Sequence, residues 1–212
     1  MSEVSTLMNR IETEFSAADE RLKQAQGERV QAYRDRLQRL DICSHTIERL
    51  REIWRPRLET LAKKFGERVD IKPTIEPGKS SATFSFQSKL ARIQLTFSVS
   101  PDSDVRNLVF AYDLDIMPIL MKFEKHSEIT FPLGAVDQTV LEKWIDDRIV
   151  GFVQTYLSLH ENQYYLKDHM VEDPIARIQF PKFAAGATLD VKGKTYYFID
   201  DSTRSEFQAK QS

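Results

Sequence analysis

Two hydrophobic periods divide the chain. From Leu7 to Phe65 apolar side chains recur every third or fourth residue, the spacing of one helix face. The first stripe is Leu7, Ile11, Phe15, Ala18, Leu22 and Ala25; it slips at Gly27 and resumes at Val30, Tyr33, Leu37 and Leu40. It is narrow, like a coiled-coil seam, and the positions between are Glu, Arg, Lys and Gln, all good helix formers. A second stripe follows at Ile47, Leu50, Trp54, Leu58, Leu61 and Phe65. Asp41 to Ser44 offer capping side chains between the two stripes, Pro56 removes a donor near Arg55, and Gly66 is a stop. Two matched stripes with a capped junction predict an antiparallel helical hairpin over residues 1–67.

Beyond Gly66 the period drops to two. Ala82, Phe84 and Phe86, then Ile93, Leu95, Phe97 and Val99, then Leu108, Phe110, Tyr112, Leu114 and Ile116 alternate with mostly polar residues. That is the pattern of strands with one face buried and one wet. Shorter candidate strands are Val69 to Ile75, Ile119 to Glu124 and Glu128 to Phe131, with Pro118 breaking the path. The turns at Glu76–Lys79, Ser88–Leu90 and Pro101–Asp104 are too short for parallel crossovers, so the strands read as an antiparallel meander. A helix with a broad apolar face (Leu141, Trp144, Ile145, Ile149, Phe152, Val153, Tyr156, Leu159) follows an N-cap at Asp137 and is expected to lie across the sheet. Between sheet and helix, Phe97, Phe110, Tyr112, Trp144, Phe152 and Tyr156 are candidates to line an apolar pocket, or simply to fill a core.

Composition narrows the chemistry. A net charge of −2 gives no general attraction to nucleic acid or anionic membrane, and no apolar run approaches the span of a bilayer. Cys43 is the single cysteine, so neither an intrachain disulfide nor a multi-cysteine zinc site can form. The first residues are polar, without the regions of a signal peptide, and the expected compartment is the cytoplasm. With seven glycines, four histidines and no Gly-rich phosphate loop, nucleophile elbow or HExxH motif, no catalytic residue and no cofactor is assigned, and the protein reads as a non-enzyme. The arginines from Arg34 to Arg57 read as a solvated, ion-paired helix surface, because acidic residues nearly match them. Cys43 and His45 are two ligands at most. Asp113 and Asp115 share a strand face and read either as a cation or acid–base pair or as solubilising charges; His126 reads as a hairpin-tip residue.

The tail carries the one recognisable signature. Asp173-Pro174-Ile175 opens it; Gly193-Lys194-Thr195-Tyr196-Tyr197-Phe198, Arg204 and Phe207 close it. This segment resembles the YHS domain, a small metal-binding, treble-clef-like module, across about a fifth of the chain. The resemblance implies a ββα unit, with strands 187–192 and 194–198 about a Lys192-Gly193 turn, and a terminal helix capped by Asp201 or Ser202. The positions where the family carries cysteines hold Ala176, Ile199 and Thr203, so the fold is implied without the metal. A module this small is expected to dock on the rest of the protein.

The sequence therefore describes an α+β protein: a helical hairpin (1–67), an antiparallel meander covered by one long amphipathic helix (68–168) and a degenerate YHS-like module (169–212). The functional expectation is a non-catalytic interaction or assembly protein. It would associate with itself or another protein through Leu7, Ile11, Phe15, Leu22, Val30, Tyr33 and Leu37, without nucleic acid, membrane or cofactor. The alternative is a carrier or sensor of a small apolar ligand under the covering helix, and a third reading is metal handling by the tail.

Overall fold

A computed structural model describes residues 3–211 and has the expected α+β architecture. Its first element corrects the hairpin. Helix α1 runs unbroken from Glu3 to Phe65, 63 residues, or about 95 Å at 1.5 Å per residue. Ser44, one of the polar residues that offered a junction, bonds within the helix instead, as does its neighbour Thr46. Ser44 Oγ donates to the Leu40 carbonyl at 3.0 Å and Thr46 Oγ1 to that of Ile42 at 2.8 Å, the back-bonding that Ser and Thr make mid-helix. Pro56 does not split α1 either. It sits on the exposed side, as does Glu52, whose carbonyl its ring frees, so that carbonyl is open to solvent rather than stranded in the core. Gly66, with φ +57°, ends the run.

Strands β1 (Val69–Glu76), β2 (Lys79–Phe86), β3 (Arg92–Pro101), β4 (Asn107–Met117) and β5 (His126–Pro132) form one antiparallel sheet in sequence order. The register places the apolar sets together: Ala82 opposite Phe97 and Phe97 opposite Tyr112, Phe84 opposite Leu95 and Leu95 opposite Leu114. All of these face one side and are buried. Residues 119–124, a strand candidate in the sequence, form no strand. The segment follows the cis Met117–Pro118 bond and is pinned by Tyr165, whose hydroxyl donates to the Pro118 carbonyl at 2.6 Å and accepts from the Leu120 N–H at 3.0 Å.

Helix α2 (Gln138–Glu161) starts at the expected cap, Asp137 accepting from the Val140 N–H at 3.1 Å. Its buried face, Leu141, Ile145, Phe152, Tyr156 and Leu159, lies on the sheet beside the second half of α1. Cys43, Ile47, Leu50, Trp54, Leu58, Leu61 and Phe65 of α1 belong to the same core, so this half of α1 is part of the body. Arg57 ties the helices together, 3.0 Å from both Glu142 and Asp146 of α2. A one-turn helix α3 (Gln163–Leu166) buries Tyr165.

The tail contains a short pair, β6 (Met170–Glu172) with β7 (Gln179–Pro181), a hairpin of β8 (Ala187–Val191) and β9 (Lys194–Phe198), and helix α4 (Asp201–Gln211). The hairpin turns at Lys192-Gly193, φ +52° and +80°, the double left-handed geometry of a type I′ turn. Its core of Ala187, Phe198 and Phe207, flanked by Ile175, Leu189, Val191 and Tyr196, is a cluster of its own. The docking expected of this module is therefore not built on a shared apolar core; its own aromatic contacts, Tyr196 and Phe198 at 4.8 and 5.4 Å from Phe207, close it.

Candidate functional site

The surface that stands out is the first half of α1. From Val4 to Tyr33 nearly every residue is exposed, and the polar side chains bond along the helix: Thr13 to the Asn9 carbonyl, Gln24 to Glu28, Gln31 to Asp35. The predicted stripe lies bare: Phe15 is 69 % exposed and Leu22 62 %, and Leu7, Ile11, Val30, Tyr33 and Leu37 are also exposed. At 100° per residue the part from Leu7 to Ala25 lies on the same side of α1 as the stripe that Cys43 to Phe65 bury, while Val30 and Leu37, past the slip at Gly27, lie round from it. One helix thus carries an apolar side that is docked along its second half and overhangs along its first. Helices in proteins draw most of their stability from packing an amphipathic face, and contiguous exposed apolar faces are characteristic of interaction surfaces.

The candidate pocket residues are elsewhere in the fold, and they are packed. Phe97 and Tyr112 meet edge to face at 5.5 Å and Phe97 and Trp144 at 6.4 Å. Phe152 lies 4.6 Å from Phe86, Tyr156 4.9 Å from Phe65, and Phe110 6.1 Å from Phe131. The gap bordered by Trp54, Phe97, Phe110 and Trp144 is only about 10 Å³. The room expected for a ligand under α2 is filled, because α1 supplies Trp54, Leu58 and Phe65 to the same layer. Burial pushes the Tyr112 hydroxyl well above its ordinary titration range, with Glu124 adding to the effect.

An open groove lies instead between α1 and the sheet edge. Ile71, Pro73 and Ile75 of β1 point to the helix side but remain uncovered, and with Trp54, Leu58 and Ala82 they line about 340 Å³. Trp54 also borders the small gap under α2, and its indole N–H is buried without a hydrogen-bond partner. Sequence reasoning missed this groove: Val69 to Ile75 read only as a short candidate strand, and the path of α1 leaves Ile71 and Ile75 bare.

The remaining candidates are satisfied locally. Asp113 bonds His126 Nδ1 at 2.7 Å and Asp115 pairs with Arg92 at 3.3 Å, so the two carboxylates are separately engaged on the open sheet face. The Asp113 bond raises the His126 pKa, aided by the Asp113 and Glu128 charges and opposed by partial desolvation. Cys43 is fully buried, its thiol pushed up by burial, while His45 is exposed and 3.7 Å from Asp41. Among the described residues no group of three or more His, Cys, Asp or Glu side chains is placed to hold a metal, and no helix is long and apolar enough to cross a membrane.

In the tail, Ala176, Ile199 and Thr203 converge on one carboxylate. Asp173 is fully buried; its Oδ1 accepts the N–H groups of Ile175 and Ala176 at 2.8 and 3.0 Å, and its Oδ2 accepts the Ile199 N–H and the Thr203 hydroxyl at 2.9 and 2.7 Å. Burial alone would raise its pKa; the four donated bonds outweigh burial and hold it below the usual carboxylate value. The cap of α4 is Asp200, which accepts from the Thr203 N–H at 2.9 Å, rather than Asp201 or Ser202. Gly186 is required where it stands: a Cβ there would come within 2.3 Å of the Ile199 carbonyl oxygen.

Fold and surfaces together define an α+β protein whose helix-covered antiparallel sheet carries an overhanging helical arm. Comparison of the chain with protein-family models, with curated proteins and with solved structures found no match in any of the three.

Proposed function

We propose that this protein is a non-catalytic interaction or assembly protein that works by pairing the overhanging half of α1 with another helix. The observation that carries this reading is the bare apolar stripe from Leu7 to Leu37, whose part up to Ala25 lies on the side of α1 that the body buries further along. Helices with such a seam bury it against a partner helix by knobs-into-holes packing. The body then serves as a rigid base, α1 being anchored through seven core side chains from Cys43 to Phe65. The lone, buried, reduced Cys43 supports a cytoplasmic setting.

The test is native mass spectrometry of the full chain from its own host, wild type beside Phe15→Glu/Leu22→Glu. The reading predicts a complex, with itself or another chain, that the double variant loses while its body stays folded. A monomer in both preparations would sink it.

A second reading is favoured by one feature. The groove between α1 and β1 is open and lined by Trp54, Leu58, Ile71, Pro73, Ile75 and Ala82, an apolar wall suited to a small apolar ligand. Protein quenching of Trp54 fluorescence by such ligands, abolished by Ile71→Glu, is its expected signature. The tail is read as a metal-free relative of the YHS module; the ββα order and the gathering of Ala176, Ile199 and Thr203 about Asp173 support that reading.

A further inference from the structure

Resting on the arm reading above, we infer that the partner helix is the arm of a second copy, paired antiparallel about a two-fold axis between Ser16 and Ala17. Side-chain size sets this register. Between two such helices the 3/4-spaced positions that meet are Val4, Met8, Ile11, Phe15, Ala18, Leu22 and Ala25, with Leu7 on the flank, and along them large and small residues alternate unevenly. In the antiparallel register Phe15 faces Ala18 of the second copy, Met8 faces Ala25 and Ile11 faces Leu22, each contact made twice by symmetry. Every layer then joins a large side chain to a small one or two of middle size. The parallel register stacks Phe15 on Phe15 and Ala18 on Ala18, alternating crowded layers with voids, both of which core packing penalises.

Charge points the same way. Flanking the seam, the antiparallel register sets Glu14 beside Arg21 of the second copy on one side and Glu12 beside Asp19 on the other, so attraction offsets repulsion. The parallel register sets Glu14 beside Asp19 on both sides. These side chains are exposed and Glu14 makes no ion pair within its own chain among those found, leaving it free to turn across the seam. The overlap spans residues 4 to 29 and uses the whole of the seam upstream of the slip, with the Arg29 stem lying over Val4 at either end. Val30, Tyr33 and Leu37 lie beyond the overlap, and the two bodies stand at opposite ends of the paired helices.

The test is a pair of spin-label distances in the full chain on a Cys43→Ala background, one label at Thr6→Cys and one at Ser16→Cys. Antiparallel pairing separates the two Thr6 labels by about 30 Å along the axis, at 1.5 Å per residue, and brings the Ser16 labels level with each other. Unequal distances of this kind, long at Thr6 and short at Ser16, support the inference. Short, equal distances at both sites overturn it but leave the arm as the interacting element. The absence of any coupling, with a monomer in sedimentation at high micromolar concentration, overturns self-pairing. A dimer that survives Phe15→Glu/Leu22→Glu overturns both this inference and the arm reading, because the contact then lies elsewhere.

Discussion

The two halves of α1 carry one pattern and meet opposite fates. Leu50 and Leu22 occupy the same side of the same helix; one is 1 % exposed and the other 62 %. What differs is what lies beneath them: strands of the sheet under the second half and, among the described residues, nothing under the first. The sheet supplies the control. Its uncovered face is polar, with Thr83 bonded to Thr96 at 3.1 Å, Asp115 paired with Arg92, and Asp113 bonded to His126. A bare surface built for water is populated by such groups. The bare half of α1 instead keeps Phe15, Leu22 and Leu37 exposed, and the proposed helix pairing rests on that contrast.

The largest expected effect tests that difference directly. Leu50→Ala should cost about 2–5 kcal/mol, the range for emptying a packed site, whereas Leu22→Ala should change monomer stability by no more than about 0.5 kcal/mol. Urea titrations of both variants, at a concentration where sedimentation shows a monomer, make the measurement. Equal costs would mean that the arm folds back on the body in solution, and the comparison would fail.

The second effect separates the tail from both halves of α1. Asp173→Ala strands four donors that a buried carboxylate satisfies, and a loss on the order of 3 kcal/mol is expected for charged hydrogen bonds of this kind. Because the tail has its own core, the loss should appear as earlier exchange of the amides of β8, β9 and α4, with those of β2 to β4 unmoved. The pH sign follows from the lowered pKa of Asp173. Its contribution is fully present above the ordinary Asp value of about 3.9 and is lost as pH falls through the still lower value in the folded protein. Hydrogen exchange followed through an acid series should show the tail of the wild type loosening there and that of Asp173→Ala already loose at neutral pH. A uniform effect across the sheet would show that the tail and body unfold as one unit.

How far the sequence reached follows the same division between local and global information. The alternation in β2, β3 and β4 is set by the chain's own pleat, so those strands and their shared buried face were legible, as were the Asp137 cap and the Lys192-Gly193 turn. The hairpin was misread because a side chain such as Ser44 can either cap a new helix or bond back into an existing one, and Pro56 is tolerable where its freed carbonyl faces water; neither choice is written locally. The stripe residues themselves were legible as one recurring apolar pattern of a helix, but Leu22 and Leu50 look alike in sequence, and only the position of the sheet tells them apart. The same holds for the aromatic set: Phe97, Tyr112 and Trp144 suit a pocket or a core equally, and the arrival of Trp54 and Phe65 from α1 decides for a core. The groove beside β1 depends on the line α1 takes across the sheet, and no local pattern encodes it.

A smaller effect sharpens where docking ends. Arg57 reaches Glu142 and Asp146 across the α1–α2 seam while its own Nη1 donates to the Ile53 carbonyl at 2.8 Å. Both acidic partners are substantially exposed, so Arg57→Ala should cost roughly 1 kcal/mol or less. A double-mutant cycle of Arg57→Ala with Asp146→Ala isolates the pair; a coupling that vanishes in high salt is the expected result. A much larger, salt-insensitive coupling would show that these charges, and not the apolar stripe, fix α1 to the body.

The smallest effect lies on the bare face of the sheet. His126 is held by Asp113 at 2.7 Å and approached by Glu128 at 3.6 Å, and its pKa is raised, the Asp113 hydrogen bond being the main cause. A raised histidine contributes stability that is fully present below the unfolded value of about 6.5 and is lost as pH rises through the higher folded midpoint. The imidazole and both carboxylates are more than half exposed, so solvent screens the interaction and the change in overall stability should be slight. The site is best read through its own titration: the His126 midpoint by NMR should lie above the ordinary value and fall back toward it in Asp113→Asn. If Asp113→Asn leaves the midpoint high, the cause lies with a group other than Asp113. If instead the variant unsettles the sheet, that face is not the purely solvated surface against which the bare half of α1 stands out, and the inference from exposure to a missing partner loses its control.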